Sequence, residues 1–157
     1  FIFTANPEDY TNRGSIVTPL KDRIGSQILT HYSADIQTAK KITDQEAEKL
    51  ENRHCKVHVP ELAKDILEQV AFEARESEYI DAKSGVSARM TISAMENLIS
   101  AAERRCLKNG LKKTSVRLSD FMGIIPAITG KIQWYNGSED QRIHIFSRFI
   151  LIAGFKR

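Results

Sequence analysis

Residues 1–23, FIFTANPEDYTNRGSIVTPLKDR, decide how the rest of the chain is read. Phe1-Ile2-Phe3 is an apolar run with strand chemistry. Asn6-Pro7 breaks it, because the residue before a proline is pushed out of the helical region. The stretch therefore predicts the end of a buried strand, a polar loop containing Gly14, a short helix around Pro19–Ile24 and an exposed Arg23. A polar side chain at the C-terminal tip of a buried strand is where open α/β sheets place ligand contacts. Asn6 holds that position here.

Working outward, Ser26–His31 reads as a second strand, and the composition shifts near Tyr32 to helical patterning. Thr43-Asp44-Gln45-Glu46 has the form of a capping box, which predicts a helix from there to about Arg53. Pro60 suits a first helical position. Leu62, Ile66, Val70 and Ala74 then recur at helical spacing to about Glu76. A third helix is predicted from Ser87, with Met95, Leu98, Ile99, Ala102 and Cys106 on one face and a stop at Asn109-Gly110. A fourth starts near Ser119-Asp120, its apolar face Phe121, Ile124, Ile125, Ile128 and Ile132, and Pro126 should kink or split it. Four amphipathic helices with short connections make a small bundle.

Three motifs, in order, resemble the second half of the AAA+ ATPase core in its magnesium-chelatase ATPase subunit and MoxR-type branch. Thr4-Ala5-Asn6-Pro7-Glu8 matches that family's T-A-N-P-E strand end, whose Asn (sensor 1) faces the nucleotide γ-phosphate. Pro19-Leu20-Lys21-Asp22-Arg23-Ile24 matches its P-x-x-D-R-[FI] run, whose Arg is the arginine finger. Gly85-Val86-Ser87-Ala88-Arg89 matches its G-x-S-x-R helix start, which carries the sensor 2 arginine. The resemblance covers roughly residues 1–135 and implies a mainly α chain. Residues 1–33 would be the C-terminal end of the α/β core, with one or two strands, and residues 34–157 a helical lid with an unplaced tail.

The implied roles have physical content. A neutral amide at Asn6 can orient an attacking water, or hydrogen-bond a γ-phosphate oxygen, without over-stabilising the ground state. Arg23 offers a planar fork to two phosphate oxygens, supplied from a neighbouring subunit of a ring. Arg89 stands in the first turn of its helix, where a cation opposes the macrodipole, and a residue placed against a local rule points to function. The 157 residues contain no G-x-x-x-x-G-K-[ST] loop and no acidic strand end for Mg²⁺. The resemblance therefore implies the C-terminal portion of a longer ATPase. ATP and Mg²⁺ would belong to the parent, which would remodel an unidentified protein or insert a metal. The 157 residues alone would be inactive and bind neither.

Composition sets the bounds. Apolar and charged fractions of 41% and 27% are those of an ordinary globular domain, and a net charge of +3 does not by itself imply nucleic acid. Cys55 and Cys106 offer no disulfide framework and fit a reducing cytoplasm. No apolar run approaches the roughly 18 residues a membrane helix needs, and Ile143–Phe155 reads as a buried terminal helix or strand. His54, Cys55 and His58 lack the second ligand pair that zinc wants, so no metal site is expected. The basic cluster Arg104, Arg105, Lys108, Lys112, Lys113 and Arg117 has no interleaved aromatics and reads as solvated helix ends. The rival reading is a non-enzymatic helical module whose basic face binds nucleic acid or an acidic protein.

Overall fold

The computed structural model describes residues 2, 4, 22–47, 55–80, 86–130, 132 and 138–155. The chain divides into two units, Phe1–His31 and Tyr32–Arg157. In the first, Asp22 and Arg23 form a turn, Gly25 a bend, and Ser26–His31 runs exposed without regular structure. That corrects the strand expected there. A strand needs a neighbour for its N–H and C=O groups. Among the described residues Ile28 and Leu29 have none, and they stand 88% and 62% exposed. Ile2, expected in a buried strand, is likewise exposed. Phe1, Phe3, Asn6 and the first half of the expected Pro19–Ile24 helix lie outside the described residues, and its second half, Asp22–Ile24, is a turn and irregular chain in place of a helix.

The second unit is mainly helical. Its first helix, α1 (Ile36–Glu46), starts at Asp35, whose carboxylate accepts from the Thr38 N–H and the Thr38 hydroxyl, both at 2.8 Å. The capping box expected at Thr43 is therefore corrected: Thr43 lies inside α1, buried, and the helix ends at Glu46 instead of continuing to Arg53. Asp35 is the stronger cap because its carboxylate serves two donors, whereas Thr43 faces the core.

Strands β1 (Lys56–His58) and β2 (Lys113–Ser115) pair in parallel, with Lys56 opposite Lys113 and His58 opposite Ser115. Parallel strands need a long crossover. Here α2 (Glu61–Arg75) and α3 (Ala88–Lys108) supply it. Among the described residues this pair is the only strand ladder, so the strands sit away from the positions the sequence patterning indicates. Pro60 takes the cap position of α2, one residue before its expected place.

The expected stripe on α2 holds at Ile66, Val70 and Ala74, which are buried, and fails at Leu62, while Leu67 and Ala71 widen it. Leu62 is half exposed, while Leu67, Val70, Ala71 and Ala74 are fully buried. On α3, Met90, Ala94, Leu98 and Ala102 face the same core. Gly110, with φ +64°, ends the turn after α3 in the left-handed region that favours glycine.

A 3₁₀ segment (Leu118–Ile124) passes into α4 (Ile125–Thr129) beside Pro126. The expected apolar face, Phe121, Ile124, Ile125, Ile128 and Ile132, is buried. Gly123 lies so close to α3 that a Cβ there would stand 2.8 Å from the Ala101 Cβ.

The last helix, α5 (Glu139–Phe155), closes the core with Phe146, Phe149 and Ile150 against α2 and α4. Phe146 and Phe149 meet edge to face at 6.2 Å. No described helix is long and apolar enough to cross a membrane.

Two further ties brace the unit. Lys40 of α1 reaches Asp65 at 2.7 Å and Glu61 at 2.8 Å, and Lys64 reaches Asp44 at 2.7 Å. Asp44, read from sequence as a capping residue, is thus an inter-helix partner. Cys55 and Cys106 form a disulfide, which corrects the expectation of two free thiols. Their Cα atoms are 6.6 Å apart, across 51 residues of sequence. That proximity comes from the crossover, because Cys55 precedes β1 and Cys106 lies in the last turn of α3, the helix before β2.

Candidate functional site

Of the three expected site residues, Asn6 lies outside the described residues. Arg23 is exposed in the turn of the first unit. Arg89 is exposed in the first turn of α3, in the second unit.

Several ties fix the helix start that carries Arg89. Ser87 caps α3 in an extended conformation, without a side-chain hydrogen bond. Just before it, the Val86 carbonyl accepts from Arg75 Nε at 3.0 Å. The Arg75 guanidinium stacks over Tyr32 at 4.7 Å and Phe72 at 5.2 Å from the ring centroids. Burial holds Arg75 below its ordinary pKa, against the opposing pull of Tyr32 and Glu68. Sequence patterning passes over Arg75, because an arginine in the last turn of a helix already satisfies the macrodipole.

Beneath Arg89 lies a buried polar chain. Thr91 Oγ1 donates to the Ala88 carbonyl at 3.0 Å and lies 3.0 Å from Thr43 Oγ1, which in turn lies 2.6 Å from Glu68 Oε1. The first turn of α3 is thereby tied to α1 and α2. Burial pushes the Glu68 carboxyl up from its ordinary range, and the Thr43 hydroxyl only partly offsets this. The threonines are missed from sequence because hydroxyls on a buried face look like breaks in the apolar stripe.

The basic cluster separates into one tied arginine and a solvated remainder. Arg105 donates to Asp120 through Nε at 3.0 Å and Nη2 at 2.8 Å. It also reaches the Thr114 hydroxyl at 3.0 Å and the Ser115 carbonyl at 2.8 Å. Asp120 accepts as well from the Arg117 N–H at 2.8 Å. Burial alone would raise Asp120, but the Arg105 guanidinium and the Arg117 N–H outweigh it and hold the carboxyl below its usual range. Arg105 thus joins α3, β2 and the 3₁₀ segment. Arg104, Lys108, Lys112, Lys113 and Arg117 are exposed.

Among the described residues no group of three or more His, Cys, Asp or Glu side chains could hold a metal ion. Of the trio considered for zinc, Cys55 is bonded to Cys106, His58 lies in β1, and His54 is outside the described residues. Comparison of the chain with protein-family models, with curated proteins and with solved structures gave no match.

Proposed function

We propose that this chain carries the sensor 1, arginine-finger and lid portions of a magnesium-chelatase-like AAA+ ATPase. The parent couples ATP hydrolysis to protein remodelling or metal insertion. The observation that carries the reading is Gly85-Val86-Ser87-Ala88-Arg89. Its described part opens the 21-residue helix α3, Ser87 as the cap and Arg89 exposed in the first turn, downstream of the Asn6 and Arg23 motifs.

In this reading Asn6, Arg23 and Arg89 are the groups this chain presents to the phosphates of ATP. Their chemistry suits phosphate oxygens, with one neutral amide and two guanidinium forks, the latter both exposed. ATP and its Mg²⁺ belong to the parent and supply the transferable phosphoryl group. Asn6 orients water or a phosphate oxygen. Arg23, from the neighbouring subunit of a ring, meets the charge that develops during transfer. Arg89 links nucleotide state to lid position. The reading places the parent in the cytoplasm, a compartment that keeps thiols reduced, and the Cys55–Cys106 bond weighs against that part of it.

Subunit mixing in the parent tests this. Arg23→Ala should lower kcat by roughly 10³-fold or more with ATP binding nearly intact. Mixing Arg23→Ala subunits with subunits defective in the phosphate-binding loop should recover activity at mixed interfaces. Rings that assemble from the mixture yet stay inactive would remove Arg23 from the site.

A further inference from the structure

The C-terminal half of α3 and the 3₁₀ segment flank an open cleft of about 460 Å³. Ligand-binding clefts run from about 300 to 1,000 Å³. Arg104, Arg105 and Lys108 line one wall, and Asp120 and Met122 the other. Between the walls Gly123 lies against Ala101, where a Cβ on Gly123 would stand 2.8 Å from the Ala101 Cβ.

The charge that faces an incoming ligand is positive. Among the described residues Asp120 is the one carboxylate of the lining, and Arg105 neutralises it. Arg104 and Lys108 stand one helical turn apart, both exposed. Among the described residues neither enters an ion pair. Lys112, Lys113 and Arg117 extend the positive field beyond the cleft. Met122, on the cleft's lining, is 57% exposed, and Leu118, one residue before the lining residue Ser119, is 63% exposed.

Cations one turn apart beside a flexible thioether suit a ligand with carboxylates along one edge and apolar side chains along the other. A single nucleic-acid strand would leave Met122 and Leu118 unused, and it would want aromatic rings for its bases. Among the described residues no aromatic side chain lines the cleft. We propose that this cleft docks an acidic amphipathic helix of a partner protein, its carboxylates on Arg104 and Lys108 and its apolar edge on Met122. The inference stands apart from the nucleotide reading and survives its failure.

Fluorescence anisotropy on the 157-residue chain tests it with three labelled probes. The first is an amphipathic peptide of about four helical turns with Glu at i, i+4 positions and Leu on the adjoining face. The second is a scramble of the same composition, and the third a poly-dT oligonucleotide. The amphipathic peptide should bind at least about tenfold more tightly than either control, and more weakly at about 0.3 M salt than at low salt.

Arg104→Glu with Lys108→Glu should weaken that binding at least about tenfold, with Met122→Glu weakening it as well. Arg104→Gln with Lys108→Gln supplies a milder pair should the charge reversal disturb folding. Equal binding of the scramble, tighter binding of the oligonucleotide, or indifference to both cation pairs would each overturn the proposal.

Discussion

Glu68 and Asp120 are both carboxylates in the interior of the helical unit, 2% and 5% exposed, yet their surroundings push them in opposite directions. Asp120 meets a two-pronged guanidinium and a backbone N–H, donors that strengthen when the carboxylate is charged. Glu68 meets a hydroxyl chain. Hydrogen counting shows how short that chain is when Glu68 is charged. Thr43 and Thr91 have one hydroxyl hydrogen each, and the run from Glu68 through Thr43 and Thr91 to the Ala88 carbonyl has three links. A proton on Glu68 supplies the missing hydrogen, so the whole run can donate in one direction. Burial pushes both acids up, and the donors each one meets decide whether that rise stands or is reversed.

The largest expected effect breaks the Asp120 side of the comparison. Arg105→Met removes the guanidinium, strands a buried carboxylate, and should cost about 2–4 kcal/mol, read as a fall in denaturation midpoint. Adding Asp120→Asn should return part of that loss. A single variant as stable as wild type would mean the pair is ornamental.

Next in size is Thr43→Val, a near-isosteric change that interrupts the hydroxyl chain. It should cost about 1 kcal/mol in urea unfolding at neutral pH. An unchanged midpoint would show that water already serves Glu68 in place of Thr43.

Acid titration of stability should then separate the two carboxyls by sign. Asp120 is depressed in the fold, so its contribution is present above the ordinary carboxyl range and lost as pH falls through its folded value. The gap between wild type and Asp120→Asn should therefore shrink on acidification. Glu68 is raised, so its favourable contribution is complete below the ordinary range and lost as pH rises through the elevated folded value. Removing it should flatten that decline. Slopes of the same sign would contradict the contrast.

The smallest expected effect is that of Glu68→Gln. A neutral amide keeps the shape and supplies its own donor, so this variant should match wild type or gain up to about 1 kcal/mol at neutral pH. A loss of several kcal/mol would show that the charged form is the native one.

How far these features were legible in the sequence follows from the same chemistry. The apolar faces of α3 and of the Phe121–Ile132 run were readable because Leu and Ile at helical spacing face the core without competition. The start of α1 was not. Its buried face carries Lys40 and Thr43, and their partners Asp65 and Glu68 lie 25 residues away. Arg105 looked like one more member of a basic run; its role depends on Asp120, 15 residues on and brought near by the turn at Gly110. The strands escaped because three-residue pairs such as Lys56–His58 and Lys113–Ser115 carry almost no alternation signal. At the candidate site, Arg89 was legible as an arginine at a helix start. The hold of Arg75 on Val86 was not, since it exists only once α2 and α3 pack.

The bond between Cys55 and Cys106 has a topological consequence. It turns the stretch holding α2 and α3 into a covalent ring from which the two ends of the chain hang as tails. A protease that cuts once anywhere inside that ring opens it without dividing the molecule. The two products migrate as one species until a reductant parts them. Once the protein is denatured, a cut in either tail frees its fragment without a reductant. The middle of the chain can therefore be nicked without losing either terminus, and a thiol decides when the pieces separate.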